Sequence, residues 1–242
     1  MSFLKAQWRK LAILNYVVPQ ELLKPYVPFG TELDIWEDKC YVSVVGFMFL
    51  DTRVLDLKIP FHINFEEVNL RFYVKRYENG EWKRGVVFIK EIVPKSAITF
   101  VANTLYKENY ETCKMSHDWK GDQDKIEVSY SFEKGGQNSL KVIAENSPQE
   151  LEEGSEAEFI TEHYWGYAKM TESKSNEYEV THPKWFTYPV ISHEVSIDFE
   201  KVYGKDFKML NNQDPFSVFL AEGSDITVEK GALISPDSYR DC

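Results

Sequence analysis

Two runs in which polar and apolar residues alternate, Glu67 to Tyr77 and Trp82 to Ile92, are separated by Asn79-Gly80. Period-two alternation marks a strand with two unlike faces, and Asn-Gly tolerates the positive φ angles of a tight hairpin turn. The chain therefore carries an antiparallel hairpin, and much of the rest has the same period. Trp8 to Val17 reads as extended. Glu32 to Trp36 and Tyr41 to Leu50 read as strands around Glu37-Asp38-Lys39, the second so continuously apolar that both of its faces must be covered. Lys125 to Glu133 and Ser139 to Ala144 form a half-exposed hairpin around Gly135-Gly136, after a weaker strand from Lys114 to Trp119. Tyr164 to Met170, Tyr178 to His182, Pro189 to Ile197 and Phe216 to Leu220 follow. Strands this close together are the signature of an antiparallel barrel or sandwich, so the fold class is mainly β.

Helical signals are few. Pro19 sets the first turn of a short helix through Glu21, Leu22 and Leu23, which Pro25 and Pro28 end. From Lys95 to about Asn109 the period becomes helical, with Ile98, Val101, Ala102, Leu105 and Tyr106 on one apolar face. Ser155 and Glu158 fit a capping box opening a short helix through His163, and a helical turn is expected around Phe199 to Tyr203. With no linker, repeat or low-complexity tract, residues 1–242 read as a single domain with a short C-terminal tail from about 236.

A formal net charge of −11 and a sequence pI near 5.0, with Lys and Arg scattered singly, predict no nucleic-acid partner. Cys40, Cys113 and Cys242 are an odd count with no close pair, which fits a reducing compartment and predicts a cytoplasmic protein. The apolar stretch Leu11 to Val18 is too short to span a bilayer or to be read as a cleaved leader, so no membrane association is expected. His62, His117, His163, His182 and His193 have no metal-ligand spacing, and no phosphate-cradling loop, dinucleotide fingerprint or nucleophile elbow is present. No metal and no cofactor are expected. A homo-oligomer is left open.

The segment Phe65 to Val74 carries the most chemical information. Alternation puts Glu67, Asn69, Arg71 and Tyr73 on one face and Val68, Leu70, Phe72 and Val74 on the other. The polar row faces either bulk water, which composition alone favours, or a barrel lumen while the apolar row packs under a helix. Facing inward, Arg71 could hold a carboxylate through its planar fork of donors, and Glu67 could accept a proton or pair with Arg71. Glu66 and Glu67 point to opposite faces and form no acid–base dyad.

Trp8 to Tyr16, Pro28-Phe29-Gly30 with Glu32-Leu33-Asp34, Tyr41 to Phe47, Phe65 to Val74, Gly85-Val86-Val87-Phe88, Thr161-Glu162-His163-Tyr164 and His182-Pro183-Lys184-Trp185 occur in an order that resembles the YqjF-like family, domain of unknown function 2071. That family more often shows a basic residue at His163. It is grouped with the acetoacetate decarboxylase-like fold, so the resemblance implies an antiparallel, closed or nearly closed β-barrel with a few peripheral helices and an internal cavity. In the decarboxylases a lysine forms a Schiff base with the substrate, in a place where a proline precedes two lysines. The analogous place here, Tyr110 to Met115, has only Lys114. Lys114 is thus either that nucleophile or a solvated strand lysine.

The expected function is binding of a small organic anion in the barrel, with Arg71 as anchor and Asn69, Tyr73 and His182 as lining. An enzymatic version, a carbon–carbon lyase or hydrolase acting on a carbonyl acid, would use Glu67 or Lys114. The competing expectation is a non-catalytic module whose barrel is filled with side chains.

Overall fold

The computed structural model describes residues 2–105 and 107–236. Its strands are β1 (Leu4–Val17), β2 (Glu32–Leu33), β3 (Tyr41–Val54), β4 (Phe65–Glu78), β5 (Glu81–Val93), β6 (Tyr110–Thr112), β7 (Met115–Gly121) and β8 (Lys125–Glu133). They continue with β9 (Gln137–Glu145), β10 (Trp165–Thr171), β11 (Lys174–Thr181), β12 (Thr187–Tyr188), β13 (Val190–Ser196), β14 (Ser217–Val228) and β15 (Ala232–Ile234). Helices are short: α1 (Gln20–Leu23), α2 (Ser96–Leu105), α3 (Glu156–Thr161) and α4 (Phe199–Tyr203).

The larger sheet runs β14-β1-β3-β4-β5-β10-β11, and β11 then pairs back onto β14 through Val180 with Val228 and Thr181 with Thr227. The ring is therefore closed, which removes the exposed edges an open sheet of this size would present. It is antiparallel except at the β5–β10 step. The β4–β5 hairpin turns through Asn79 and Gly80, both at positive φ, as a two-residue loop matched to strand twist requires.

The second sheet, β13-β9-β8-β7, lies against the outside of β1, β3 and β4. Its inward row of Val128, Tyr130, Phe132, Leu140, Val142 and Ala144 meets the outward row Val68, Leu70, Phe72 and Val74 in one fully buried core. The apolar face of β4 thus packs mainly under a sheet, where the sequence suggested a helix. The closest approach is at Gly46, where an added Cβ would fall 2.7 Å from Cδ2 of Tyr130. The Tyr130 hydroxyl crosses the layer and donates to the Lys10 carbonyl at 2.8 Å.

Element boundaries differ from the sequence reading in ways that have local causes. The strand expected from Glu32 to Trp36 shortens to β2, because Trp36 and Lys39 close a tight bridge with Glu37 and Asp38 at positive φ. α2 stops by Leu105, and Lys107 at positive φ turns the chain back; Tyr106 lies outside the described residues. Ser155 caps α3 through its hydroxyl, accepting from the Glu158 N–H at 3.2 Å. Glu158 accepts from the Gly154 N–H, one residue before the expected partner. α3 ends at Thr161, so His163 lies beyond it. The tail expected from about 236 lies, after Pro236, outside the described residues. No helix of the described residues is long and apolar enough to cross a membrane.

Candidate functional site

Within the ring is a cavity of about 220 Å³. Its walls are mostly aromatic and aliphatic, including Trp8, Phe47, Phe49, Val86, Phe88 and Trp165, while Ile59, His62 and the α2 residues Ile98 and Val101 lie on one side. The ring is therefore not filled by its own side chains, contrary to that part of the competing expectation.

Glu67, Asn69 and Arg71 line this cavity, 2%, 1% and 7% exposed respectively. Glu66, the neighbour on the other face, instead bonds to His117 of the second sheet at 2.7 Å. Across the hairpin, β5 breaks the period. Leu70 pairs with Lys90 but Arg71 pairs with Phe88, so Ile89 is an extra residue and β5 is bulged. Strict alternation from Val86 and Phe88 would send Lys90 into the cavity. The bulge sends Glu91 inward, opposite Asn69, and leaves Lys90 to bond to Glu111 and the Val202 carbonyl.

Glu91 is flanked in register by Tyr110 of β6. The Tyr110 hydroxyl donates to Glu67 Oε2 at 3.2 Å and Asn69 Nδ2 donates to Glu67 Oε1 at 2.9 Å. A third carboxyl, Glu108, enters from the loop after α2 and accepts from the Tyr178 hydroxyl at 2.8 Å. Tyr178 reaches it only because Gly166 has no side chain: a Cβ there would lie 2.1 Å from Cζ of Tyr178.

These carboxyls are out of water, and burial dominates their acidity. It lifts Glu67 to about 7 against the opposing hydrogen bonds of Asn69 and Tyr110 and the charge of Arg71. Burial lifts Glu108 to about 8, with the Tyr178 bond opposing and the Glu67 charge adding. Glu91 is raised well above the carboxylate range by burial and by the charges of Glu108 and Glu67. This wall is largely protonated at neutral pH and can exchange protons there.

The opposite pole is Arg71, which makes no ion pair among the described residues. Its Nη2 reaches only the Ile160 carbonyl, at 3.5 Å, and its Nε has no partner among the described residues. Two histidines line the same region. His163 donates from Nε2 to Asp34 at 3.2 Å, and burial lowers it to about 4 although Asp34 pulls the other way. His182 stacks on Trp185 with centroids 4.2 Å apart, bonds through Nδ1 to the Pro183 carbonyl at 2.9 Å, and is likewise lowered to about 4 by burial. Both are neutral at pH 7, leaving Arg71 as the fixed positive charge of the wall.

Of the residues singled out in the sequence, Glu67, Asn69, Arg71 and His182 come together at the cavity. Tyr73 does not line it. Its hydroxyl donates to Ser43 Oγ at 2.7 Å, and its ring packs on His163 and Phe159, one layer behind Arg71. Lys114 is elsewhere altogether: its side chain is 80% exposed and pairs with Glu133 at 3.1 Å. After β6 the chain leaves the ring for the second sheet, so the lysine that follows is carried outside. No lysine lines the cavity among the described residues. Glu91, Glu108, Tyr110 and Tyr178 were missed. A bulge hid the first, and irregular or tertiary placement hid the others.

The closed, mostly antiparallel ring with its outer sheet and internal cavity has the acetoacetate decarboxylase-like fold. Acetoacetate decarboxylase from Legionella pneumophila subsp. pneumophila str. Philadelphia 1 is similar at a TM-score of 0.63 and 14% identity, over 96% of this chain and 87% of that one. An acetoacetate decarboxylase-like enzyme from Sphingomonas wittichii RW1 is similar at 0.65 and 10%, over 97% and 94%. The enduracididine biosynthesis enzyme MppR, complexed with pyruvate, is similar at 0.65 and 12%, over 97% and 91%. Among curated proteins none matches. The chain belongs to the DUF2071 family, an uncharacterized conserved protein family whose model matches residues 5–225.

Proposed function

We propose that this protein binds a small organic carboxylate inside the ring, with Arg71 as the anchor and Glu67 positioned to give or take a proton. The observation that carries this reading is Arg71 itself: a buried guanidinium on a cavity wall, without a carboxylate partner among the described residues. A buried charge is costly unless it is paired, and a ligand carboxylate would supply two acceptors in the geometry of the guanidinium fork. The pyruvate held by MppR, on a similar fold, is a ligand of this class. At about 220 Å³ the cavity holds roughly seven waters' worth of liquid volume, which suits a ligand on the order of ten non-hydrogen atoms. Catalysis, where it occurs, is proton transfer by Glu67 on a bound carbonyl acid; with Lys114 on the outer surface, the reading uses no Schiff base.

Trp8, Trp165 and Trp185 line the cavity, so tryptophan fluorescence reports occupancy directly. Titration with pyruvate, acetoacetate and short-chain carboxylates is expected to give saturable quenching that weakens at least tenfold in Arg71→Met. Equal affinity in the folded variant would remove the anchor and the reading with it.

A further inference from the structure

We infer that the ligand is an amino-carboxylate, its carboxylate at Arg71 and its ammonium group received by Asn69, Glu67 and Glu91. This rests on the anion-binding reading above and adds the chemistry of the opposite pole. Among the described residues, the unpartnered atoms along β4 and β5 differ in type from one end to the other, while Trp8 Nε1, Thr52 Oγ1 and His163 Nδ1 are unpartnered elsewhere on the lining. At one pole Arg71 Nε is a donor without a partner among the described residues; at the other, Asn69 Oδ1 is an acceptor without one and Glu91 Oε2 a carboxyl oxygen without one, an acceptor once that carboxyl has lost its proton. Asn69 and Glu91 are only 1% and 2% exposed, and both line the cavity opposite each other in the β4–β5 register. A carboxylate has acceptors only, so it answers the first pole and leaves the second open. An ammonium group has three N–H donors and no acceptor, which is the complement of two empty acceptors beside a carboxyl wall.

Two alternatives at that pole fit less well. Among the described residues no group of acidic, histidine or cysteine side chains converges closely enough to hold a metal ion. A hydroxyl has one donor, which serves Asn69 Oδ1 but leaves Glu91 Oε2 open whenever that carboxyl is ionised. Spacing narrows the class further. The Cα atoms of Asn69 and Arg71 are two residues apart on an extended strand, about 7 Å, and those of Glu67 and Arg71 about 13 Å. An α-amino acid, with both charged groups on one carbon, spans the shorter of these separations at most, whereas an amino group at the end of a short chain reaches towards Glu67 as well. On binding, the ligand arrives as the ammonium carboxylate and one buried carboxyl loses its O–H proton to the buffer, leaving a carboxylate to pair with the ammonium.

The test is isothermal titration calorimetry on the full chain with ω-amino acids of three to six carbons, the n-carboxylic acids of the same lengths, and the matching n-alkylamines. At least one ω-amino acid is expected to bind tenfold or more tightly than its matched acid and its matched amine. Its affinity should rise from pH 6 to pH 8, with a heat that varies with the ionisation enthalpy of the buffer, as proton release requires. In Glu91→Gln the ratio of amino acid to matched acid should fall towards one; Glu67→Gln provides the same comparison should the first variant fold poorly. Acids that bind as tightly as the amino acids would overturn this inference and leave the anion-binding reading standing. Failure of every carboxylate to bind would overturn both.

Discussion

The two faces of β4 are equally buried and differently finished. Outward, Val68, Leu70, Phe72 and Val74 are completely covered by the second sheet and leave no polar group over. Inward, Glu67, Asn69 and Arg71 are almost as completely covered, yet Asn69 Oδ1 and Arg71 Nε lack partners among the described residues. Burial of the apolar outer row drives folding, whereas the polar inner row gains little from burial and keeps hydrogen-bonding capacity turned to the cavity. The same strand thus separates two environments by parity: Val68, Leu70, Phe72 and Val74 hold the layers together, and Glu67, Asn69 and Arg71 line the cavity.

The comparison breaks most visibly on the outer face. Phe72→Ala should cost about 3–5 kcal/mol, the range for emptying a large buried aromatic site. Urea unfolding is expected to show a much lower midpoint, while fluorescence titration of the molecules that remain folded gives the ligand affinity of the parent. Loss of binding in step with stability would mean that the two faces are not independent.

On the inner face the effect has the opposite sign and depends on pH. Glu67 ionises near 4.5 in the unfolded chain and at about 7 when folded. Its raised pKa therefore favours the native state below pH 4.5, and that contribution is lost as pH rises through about 7. Glu67→Gln keeps the shape and removes the ionisation. Relative to the parent it should gain about 3 kcal/mol at pH 8 over its effect at pH 4, from 1.36 kcal/mol per pH unit. His163 and His182, both lowered, lose their own contribution as pH falls from 6.5 towards 4, so the two proteins must be compared at each pH rather than each across pH. Thermal unfolding at pH 4, 6 and 8 measures the difference; a constant offset between the two proteins would show that Glu67 titrates normally.

What the sequence made legible follows the same parity. The hairpin turn and the polar row on β4 lie where period two runs unbroken, and there the side chains fall as the alternation demands, while β3 shows itself by its continuous apolar run. Whether the polar row faced water or lumen depended on ring closure between β11 and β14, a contact between residues almost fifty apart in the chain that no local pattern announces. Glu91 was hidden because one extra residue, Ile89, reverses the faces of β5 beyond it. Glu108 was hidden because the helical pattern runs on past Leu105, where α2 stops, and its partner Tyr178 depends on a glycine in another strand. The family resemblance carried the fold; it could not carry Lys114 into a cavity that the chain has already left by that residue.

Tyr73 marks where the inner row stops lining the cavity. It shares the parity of Glu67, Asn69 and Arg71, but its hydroxyl is satisfied: it donates to Ser43, which donates in turn to Asn15 at 2.6 Å. Its ring lies 5.7 Å from the Arg71 guanidinium carbon and so supports the anchor from behind. Tyr73→Phe keeps the ring and removes one end of a buried hydrogen-bonded chain, a loss of about 1 kcal/mol. A small drop in thermal stability with unchanged carboxylate affinity is expected. A tenfold weaker affinity at unchanged stability would instead extend the binding row by one residue and move the boundary between packing and recognition deeper into the ring.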